Sequence, residues 1–530
     1  MSEFRFPPFS LRRPSSLEVI FSSPFDLPHQ LAPSAKPRGP LQTSAFYSTK
    51  TFSFTHPQYP AGDRGKIFHP AFIFKSSDTR GLVIMAHGQL PVGYGDTYKY
   101  SMDHIGRLLA ELGFVCISIQ PRPSIPYPYD ENAGTAETFV RHLENVNGIF
   151  GNPYYIKGKP IALIGHSQAG HAAVEAANLI KSRKTAGYTK VNAVVGLAAS
   201  PAEMDLSDSY LGMQGSLDQD LGAAGQHIAV QAYEELTKSS DRYFLWMHGC
   251  NHRQYTKPSW NYPYYFDTIY PTPDTLGPPP GLVTSTAQHF ATANHVGMFL
   301  LWKLAAQTEY KSVFTGDEYV KFSSNDPVVQ SDFDSRLRIF TRSDKWRQRD
   351  LGTLPEAASF QGMLQNGLLI SNDKNPAKFA SLATLDTTCA GQKGRGFIVG
   401  WNLDVFKTAQ IKIACIKTVM QLSIKAIEFH AVGIAAKGKT EPKKPIEAEA
   451  FLLYGDKGMN TSKTVRILID PPWNNESFPA SILGTVRIPI EPFGLFPDQL
   501  ADVTTLVIDF STSPNTSGSV AITGFRVALT

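Results

Sequence analysis

The chain has 530 residues and a formal net charge of +4, with 42% hydrophobic and 18% charged residues. This length exceeds one ordinary core, so two large domains, or one domain with long additions, are expected. The charge is nearly balanced and lacks a long basic run, which argues against nucleic acid as a partner. No apolar run reaches the roughly 18–20 residues that a membrane-spanning helix needs, so no membrane span is predicted.

The N-terminal region and the cysteines carry few functional signals. Residues 1–45 are rich in Pro, Ser and Arg, and they are predicted to form an arm or a tail. They show no continuous apolar core before a cleavage site, which favours a cytoplasmic protein. The cysteines form neither a disulfide framework nor a CxxC metal pattern; they are Cys116, Cys250, Cys389 and Cys415. No cluster has metal-ligand spacing, so neither a metal nor a cofactor is predicted.

Between residues 46 and 320, short apolar runs alternate with helical patterns. The apolar runs lie at 68–74, 81–88, 114–120, 160–167, 191–200, 210–216 and 243–249. The helix-like segments lie near 98–112, 131–148, 168–182, 224–238 and 285–307. Strands that are apolar throughout need cover on both faces, and helical crossovers supply it. The sequence therefore predicts an α/β domain with a doubly wound, mostly parallel sheet.

From about residue 325 to 530 the pattern changes to alternating apolar and polar residues. Such runs occur at 464–470, 485–490, 505–510 and 521–529, and turn residues separate them. Period-two alternation with frequent turns predicts a C-terminal antiparallel β-sandwich. A helix-like stretch near 355–368 has no obvious place in such a domain.

The most specific motif is GHSQAG at 165–170, which follows an apolar strand and precedes a helix. A nucleophile elbow needs this context, because its serine occupies a strained turn between small neighbours. Gly165 fits this requirement, and Ala169 stands where the usual GxSxG pattern has glycine. The motif predicts Ser167 as a nucleophile; the alternative is a tight turn of another α/β protein with an incidental serine.

An oxyanion hole is predicted from the elbow and from the loop after the run at 81–88. In proteins with a nucleophile elbow, one oxyanion-hole N–H comes from the residue after the nucleophile and another comes from that loop. These donors would be the backbone N–H groups of Gln168 and Gln89, and Gly88 would let the chain pass close to the substrate. The alternative is a glycine-rich connection without chemistry, and a structural role is favoured for His87.

A serine hydroxyl needs a base to take its proton and an acid to orient that base. In chain order the acid follows Ser167 and the histidine follows the acid. Asp218, at a predicted strand end, is preferred as the acid, with Asp220 as the alternative. His252 lies in the loop after the last apolar run and is preferred to His248, which belongs to the run itself.

Together these motifs resemble the α/β-hydrolase superfamily, in particular its lipase, cutinase and dienelactone-hydrolase-like branch, which includes bacterial polyester hydrolases. The resemblance covers about residues 46–320 and rests on the motifs at 87–88, 165–170, 215–220 and 249–252. It implies an α/β-hydrolase sheet and carboxylic-ester hydrolysis through an acyl-enzyme. The closing residues SVAITGFRVAL resemble a galactose-binding-type jelly roll; bracing of the neighbouring domain is favoured over carbohydrate binding.

An aromatic insertion at about 254–282 follows His252 and is expected beside the active site. Tyr255 and Trp260 in this insertion, with Tyr127 in an earlier loop, are predicted to contact substrate, and His166 is predicted to shape the site wall. One interpretation is a cap over an apolar or aromatic acyl group. The other is a loop packed against the β-sandwich.

The sequence thus predicts a serine esterase acting on a small-molecule or polymeric ester. An acyltransferase or amidase with the same triad is one alternative. A non-catalytic carbohydrate-binding protein on a hydrolase scaffold is another.

Overall fold

The protein is represented by a computed structural model that describes most of residues 36–529. The described residues are 36–43, 46–56, 59–71, 79–88, 97–99, 101–121, 131–146, 149, 156, 158–200, 208–218, 229, 233, 236, 241–256, 282–316, 318–335, 337–345, 348–350, 358–361, 363–365, 368–370, 383–384, 395–404, 407–422, 424–433, 446–469, 484–514 and 517–529. Most of the predicted N-terminal arm and of the predicted helix near 224–238 lies outside them.

Residues 36–345 supply eleven strands and six helices to the described structure. The strands are β1 (Lys36–Arg38), β2 (Tyr47–His56), β3 (Tyr59–Pro70), β4 (Leu82–Ala86), β5 (Val115–Ile119), β6 (Ile161–His166), β7 (Ala193–Leu197), β8 (Ser209–Gly215), β9 (Asp241–His248), β10 (Glu318–Val320) and β11 (Arg338–Lys345). The α-helices are α1 (Asp103–Glu111), α2 (Glu131–Glu144), α3 (Gln168–Arg183), α4 (Ser285–Ala305), α5 (Lys311–Thr315) and α6 (Pro327–Ser335).

The main sheet has nine strands in the order β11-β9-β8-β7-β6-β4-β5-β3-β2. The strands from β5 across to β9 pair in parallel. The carboxyl ends of β4, β6, β8 and β9 therefore meet at one edge of the sheet. The predicted oxyanion loop, nucleophile, acid and histidine each follow one of these four strands.

The core of this part lies on both faces of the sheet because successive strand residues point to opposite sides. Val83 and Met85 of β4 pack into the cluster that contains α1 and α4. Leu82 and Ile84, the alternate residues, pack into the cluster that contains α2 and α3. The longest helix, α4, spans 21 residues, and no helix among the described residues is both long and apolar enough to cross a bilayer.

The predicted fold class, a doubly wound, mostly parallel α/β-hydrolase sheet, is wrong. The sheet is mixed, with antiparallel pairings of β2 with β3, β3 with β5 and β9 with β11. Further antiparallel sheets follow. An apolar run indicates burial but not strand direction, so the sequence did not distinguish these arrangements.

The C-terminal residues form two larger antiparallel sheets that share one hydrophobic core. Their strands are β12 (Gln348–Asp350), β13 (Ala358–Gln361), β14 (Met363–Gln365), β15 (Leu368–Ile370), β16 (Ala383–Thr384), β17 (Arg395–Asn402), β18 (Gln410–Ala414), β19 (Ile424–Gly433), β20 (Ile446–Tyr454), β21 (Asn460–Thr461), β22 (Val465–Ile469), β23 (Gly484–Pro489), β24 (Val503–Asp509) and β25 (Ser517–Leu529). Two short helices, α7 (Lys417–Met420) and α8 (Pro497–Ala501), join them. The helix-like interpretation of 355–368 is wrong, because β13, β14 and β15 lie in or begin within that stretch.

The chain crosses the predicted domain boundary near residues 320–325 and continues to pack in the hydrophobic core of the main sheet. Val329 and Phe333 of α6 pack with α4, and β11 then extends the main sheet by pairing with β9. Only residues 346–347 separate β11 from β12, which pairs with β25 of a C-terminal sheet. The two parts are therefore joined through the strand that adjoins β9.

A buried ion pair joins β3 to α2 and gives a test of this packing. Arg141 donates to both carboxylate oxygens of Asp63, at 2.6 and 2.9 Å, and to the Thr138 hydroxyl at 2.9 Å. Asp63→Asn removes the carboxylate charge that faces the buried guanidinium, so we expect the free energy of unfolding to fall by about 3–5 kcal/mol. Urea denaturation of the variant and the wild type measures this loss.

The matched control is the exposed ion pair of Arg183 with Glu137, on α3 and α2. Glu137→Gln should change the free energy of unfolding by less than about 1 kcal/mol, because solvent screens the pair. Equal losses in the two variants would contradict the importance assigned to the buried pair.

Candidate active site

Ser167 sits in a strained turn between β6 and α3. Its backbone has φ 56° and ψ −127°, a conformation that residues other than glycine rarely adopt. The surrounding chain fixes it: the Ser167 N–H donates to the Leu197 carbonyl at 2.9 Å, and its carbonyl accepts from Gly170 and Ser200. The strain at a partly exposed serine, at the carboxyl end of a strand, is the geometry of a nucleophile elbow.

Small residues around the turn explain why this sequence can adopt it. A Cβ atom at Gly165 would collide with the carbonyl group of Ala169, and one at Gly170 would collide with Ala199. Ala169, the departure from the usual GxSxG pattern, is 2% exposed and packs in the core of the α2 and α3 face. Its methyl group therefore fits the elbow.

The loop after β4 runs directly beside Ser167. A Cβ atom at Gly88 would lie 2.6 Å from the Ser167 Cβ, so only glycine permits this approach. Of the two predicted oxyanion donors, Gln168 is the first residue of α3, and its N–H has no acceptor within the helix. Gln89 lies outside the described residues. His87 is 2% exposed and its Nδ1 hydrogen-bonds the Gly88 carbonyl at 2.7 Å, in keeping with a structural role.

Asp218 is placed by a tight junction between the ends of β8 and β9. A Cβ atom at Gly215 would collide with the Cys250 carbonyl, which accepts a 2.8 Å hydrogen bond from the Leu217 N–H. Asp218 is fully buried and accepts a 3.4 Å hydrogen bond from the Gln214 amide. Asp220, the alternative acid, lies outside the described residues.

His252 and Asp218 meet in a buried hydrogen bond. The His252 Nδ1–H donates to the Asp218 carboxylate at 3.0 Å, and His252 is 3% exposed. Because Nδ1 carries the proton, Nε2 is left as an acceptor, the form that a general base requires. The His252 ring lies 4.7 Å from the ring of His166, the residue before Ser167. The structure therefore brings His252 to Asp218, whereas His248 ends β9, opposite Arg338 of β11.

A residue that sequence reasoning missed, Gln288 of α4, holds the loop that carries His252. Its buried amide accepts from the Asn251 N–H at 3.0 Å and donates to the Asn251 carbonyl at 2.8 Å. The start of α4 is fixed in turn, since the buried Asp332 carboxylate accepts from the Thr284 N–H at 2.7 Å. A single glutamine in a mostly apolar helix was the available signal, but its partner is 37 residues away.

Of the residues predicted to contact substrate or to shape the site wall, the structure describes Tyr255 and His166, and both are buried. Tyr255 is fully buried in the core, its hydroxyl 3.5 Å from the Met247 sulfur, and burial raises its pKa well above the usual value. His166 is 5% exposed and has partners at both ring nitrogens. Trp260 and Tyr127 lie outside the described residues, as does most of the aromatic insertion. Substrate contact by Tyr255, Trp260 and Tyr127, and a place for His166 in the wall of the site, stay predictions.

The described residues contain no group of three or more His, Cys, Asp or Glu side chains placed to hold a metal ion. Burial lowers the pKa of His87 to about 4, so this histidine is neutral near pH 7. Ser167, His252 and Asp218 follow β6, β9 and β8, whose carboxyl ends lie at the same edge of the sheet.

Comparison with known proteins gave no identification. No protein-family model matches the sequence, and no curated protein matches it. The resemblance to the α/β-hydrolase superfamily thus stays a prediction that rests on the motifs.

Substitution of Gly165 tests the elbow. Gly165→Ala introduces a Cβ against the Ala169 backbone, which cannot move without displacing Ser167. We expect at least a 100-fold loss in the rate at which a fluorophosphonate labels Ser167. The control, Ala169→Gly, adds no atoms and should label within about threefold of wild type, with a helix cost of about 1 kcal/mol. Normal labelling of the first variant would contradict the account.

Removal of the Gln288 amide tests the support of the histidine loop. Gln288→Leu leaves both main-chain groups of Asn251 without the Gln288 amide. We therefore expect the free energy of unfolding to fall by about 1–3 kcal/mol and the kcat of the predicted ester hydrolysis to fall as well. The matched control is Asn294→Leu, because Asn294 on the same helix bonds Leu41 and Phe290 instead. It should lose stability while kcat stays within twofold. Equal effects on kcat would contradict the role assigned to Gln288.

Proposed function

We propose that this protein is a serine carboxylic-ester hydrolase that acts through an acyl-enzyme. The observation that carries the proposal is the buried 3.0 Å hydrogen bond between His252 and Asp218, at the sheet edge where Ser167 occupies a strained turn. A carboxylate that holds a histidine in one tautomer is the arrangement by which that histidine can activate a serine hydroxyl group.

In acylation, the Ser167 Oγ attacks the ester carbonyl carbon while His252 Nε2 removes the hydroxyl proton. The negative charge that develops on the carbonyl oxygen is stabilised by the N–H groups of Gln168 and, in this proposal, Gln89. The tetrahedral intermediate collapses when the bond to the alcohol oxygen breaks and His252 protonates that oxygen. The alcohol leaves, and Ser167 carries the acyl group.

In deacylation, water takes the place of the alcohol. His252 removes a proton from water, the resulting hydroxide attacks the acyl carbon, and a second oxyanion forms in the same hole. Collapse of this intermediate breaks the bond to Ser167, whose Oγ recovers the proton from His252. Throughout, the Asp218 carboxylate stabilises the imidazolium form of His252.

The substrate class proposed is an apolar or aromatic ester, small or polymeric. Its basis is the aromatic composition of the insertion at about 254–282. An acyltransferase or amidase with the same triad is the rival within enzymes, since an alcohol or amine would then replace water in deacylation. Adding such a nucleophile to an activated ester separates the two, because a transferase forms the new ester or amide in preference to the free acid.

A non-catalytic carbohydrate-binding protein is the rival from another class. For the C-terminal part we favour bracing, because β11 pairs with β9, the strand that leads into the His252 loop, and the chain then enters the C-terminal sheets as β12. A wild-type protein that hydrolyses no ester and resists fluorophosphonates, yet binds sugars, would favour the rival.

The acid assignment gives the sharpest kinetic test. Asp218→Asn loses the charge that holds and stabilises the His252 imidazole, so we expect kcat to fall by about 10⁴-fold. Asp220→Asn is the matched control and should keep kcat within about fivefold. A panel of p-nitrophenyl esters of increasing acyl length measures both, with Ser167→Ala as the inactive reference.

A larger loss in the Asp220 variant would overturn the choice of Asp218. Hydrolysis by the Ser167→Ala variant at the wild-type rate would overturn the proposed function itself.

A further inference from the structure

His166 lies between the two loops that converge on Ser167. Its Nδ1 faces the Gly88 N–H at 3.4 Å, on the loop after β4. Its Nε2 lies 3.0 Å from the His252 carbonyl oxygen, on the loop after β9. The side chain is 5% exposed, so solvent contributes little to either contact. One imidazole thus contacts both the oxyanion loop and the main chain of the candidate base.

These partners determine the protonation state of the ring. A carbonyl oxygen only accepts, so Nε2 must carry the proton and donate to His252. A backbone N–H only donates, so Nδ1 must be the unprotonated acceptor of the Gly88 N–H. The ring is then neutral and in one tautomer. Burial, together with the neighbouring His252, lowers its pKa well below the usual value, which agrees with this assignment.

The neighbouring aromatic rings extend this arrangement. The His166 ring lies 4.7 Å from the His252 ring and 6.2 Å from the Tyr255 ring. A main-chain hydrogen bond and ring packing from His166 therefore both restrain His252. Since His166 is joined directly to Ser167, any shift of the His252 loop is opposed by the residue next to the nucleophile.

We propose that His166 is a positioning residue, whose neutral imidazole ties the oxyanion loop at Gly88 to the main chain of His252 and so fixes both relative to Ser167. This inference rests on the proposed function. It assigns His166 a role through its neighbours and not through contact with substrate. Displacement of reacting groups by about 1 Å costs on the order of 100-fold in rate, so loss of this tie should appear mainly in kcat.

Two amide substitutions separate the two sides of the tie. His166→Gln places an amide donor near the Nε2 position, so it can keep the bond to the His252 carbonyl. His166→Asn places an amide oxygen near the Nδ1 position, which keeps an acceptor for Gly88 but cannot reach His252. We expect His166→Asn to lower kcat by 10- to 100-fold with KM within twofold, and His166→Gln to stay within fivefold of wild type.

The matched control is His295, another buried histidine, whose Nδ1 hydrogen-bonds the Ala291 carbonyl within α4. His295→Asn should lower stability without changing kcat more than twofold. A change in KM but not kcat for His166→Asn would mean direct substrate contact and would overturn the proposal. Equal kcat for the Asn and Gln variants would also overturn it.

A readout that does not need activity keeps this test separate from the proposed function. In protein labelled with ¹⁵N-histidine, the His166 signals, assigned by their loss in His166→Gln, should show a protonated Nε2 and an unprotonated Nδ1 from pH 6 to 8. The His252 signals should shift in His166→Asn more than in His166→Gln. A charged ring or the opposite tautomer would overturn the proposal. If the wild type hydrolyses no ester while the tautomer is as expected, the proposed function fails and the structural tie stands.

Discussion

The hydrogen bond between the His252 Nδ1 and the Asp218 carboxylate is the interaction on which the site depends. This hydrogen bond connects the ends of two adjacent parallel strands, β8 and β9. The two ends can approach each other because Gly215 has no side chain where the Cys250 main chain lies. With Nδ1 committed to this bond, Nε2 is the only imidazole nitrogen able to take a proton. Burial of both side chains strengthens the interaction, because little water competes for it.

The strained turn at Ser167 is held by its surroundings rather than by its own preference. A non-glycine residue at φ 56° costs about 1–3 kcal/mol, and the hydrogen bonds to Leu197 and Ser200 offset that cost. The supporting shell extends outward through Gln288 to α4, and through β11 to the C-terminal sheets. The site is therefore supported by main-chain contacts that side-chain motifs do not reveal.

Local patterns predicted most strands and helices, and the motifs predicted Asp218 and His252, which share a hydrogen bond at the sheet edge. A run such as 81–88 reads as buried because both faces of β4 are covered, and the elbow was readable because small residues are required at Gly165 and Gly170. Strand direction was not readable, so the mixed sheet corrected the predicted fold class. The stretch 355–368 misled because its apolar spacing fits a helix, whereas β-sheet pairing with distant strands decides its structure. Gln288 and the hydrogen bonds of His166 were missed because their partners are remote in sequence.

The central claim is that Ser167 is a nucleophile served by His252 and an oxyanion hole. The most direct measurement is a crystal structure of the protein after reaction with a fluorophosphonate. We expect a single adduct on the Ser167 Oγ, with the phosphonyl oxygen within about 3.2 Å of the Gln168 nitrogen and His252 Nε2 on the leaving-group side. An adduct on another residue, or an unmodified Ser167 with His252 turned away from its hydroxyl, would contradict the account.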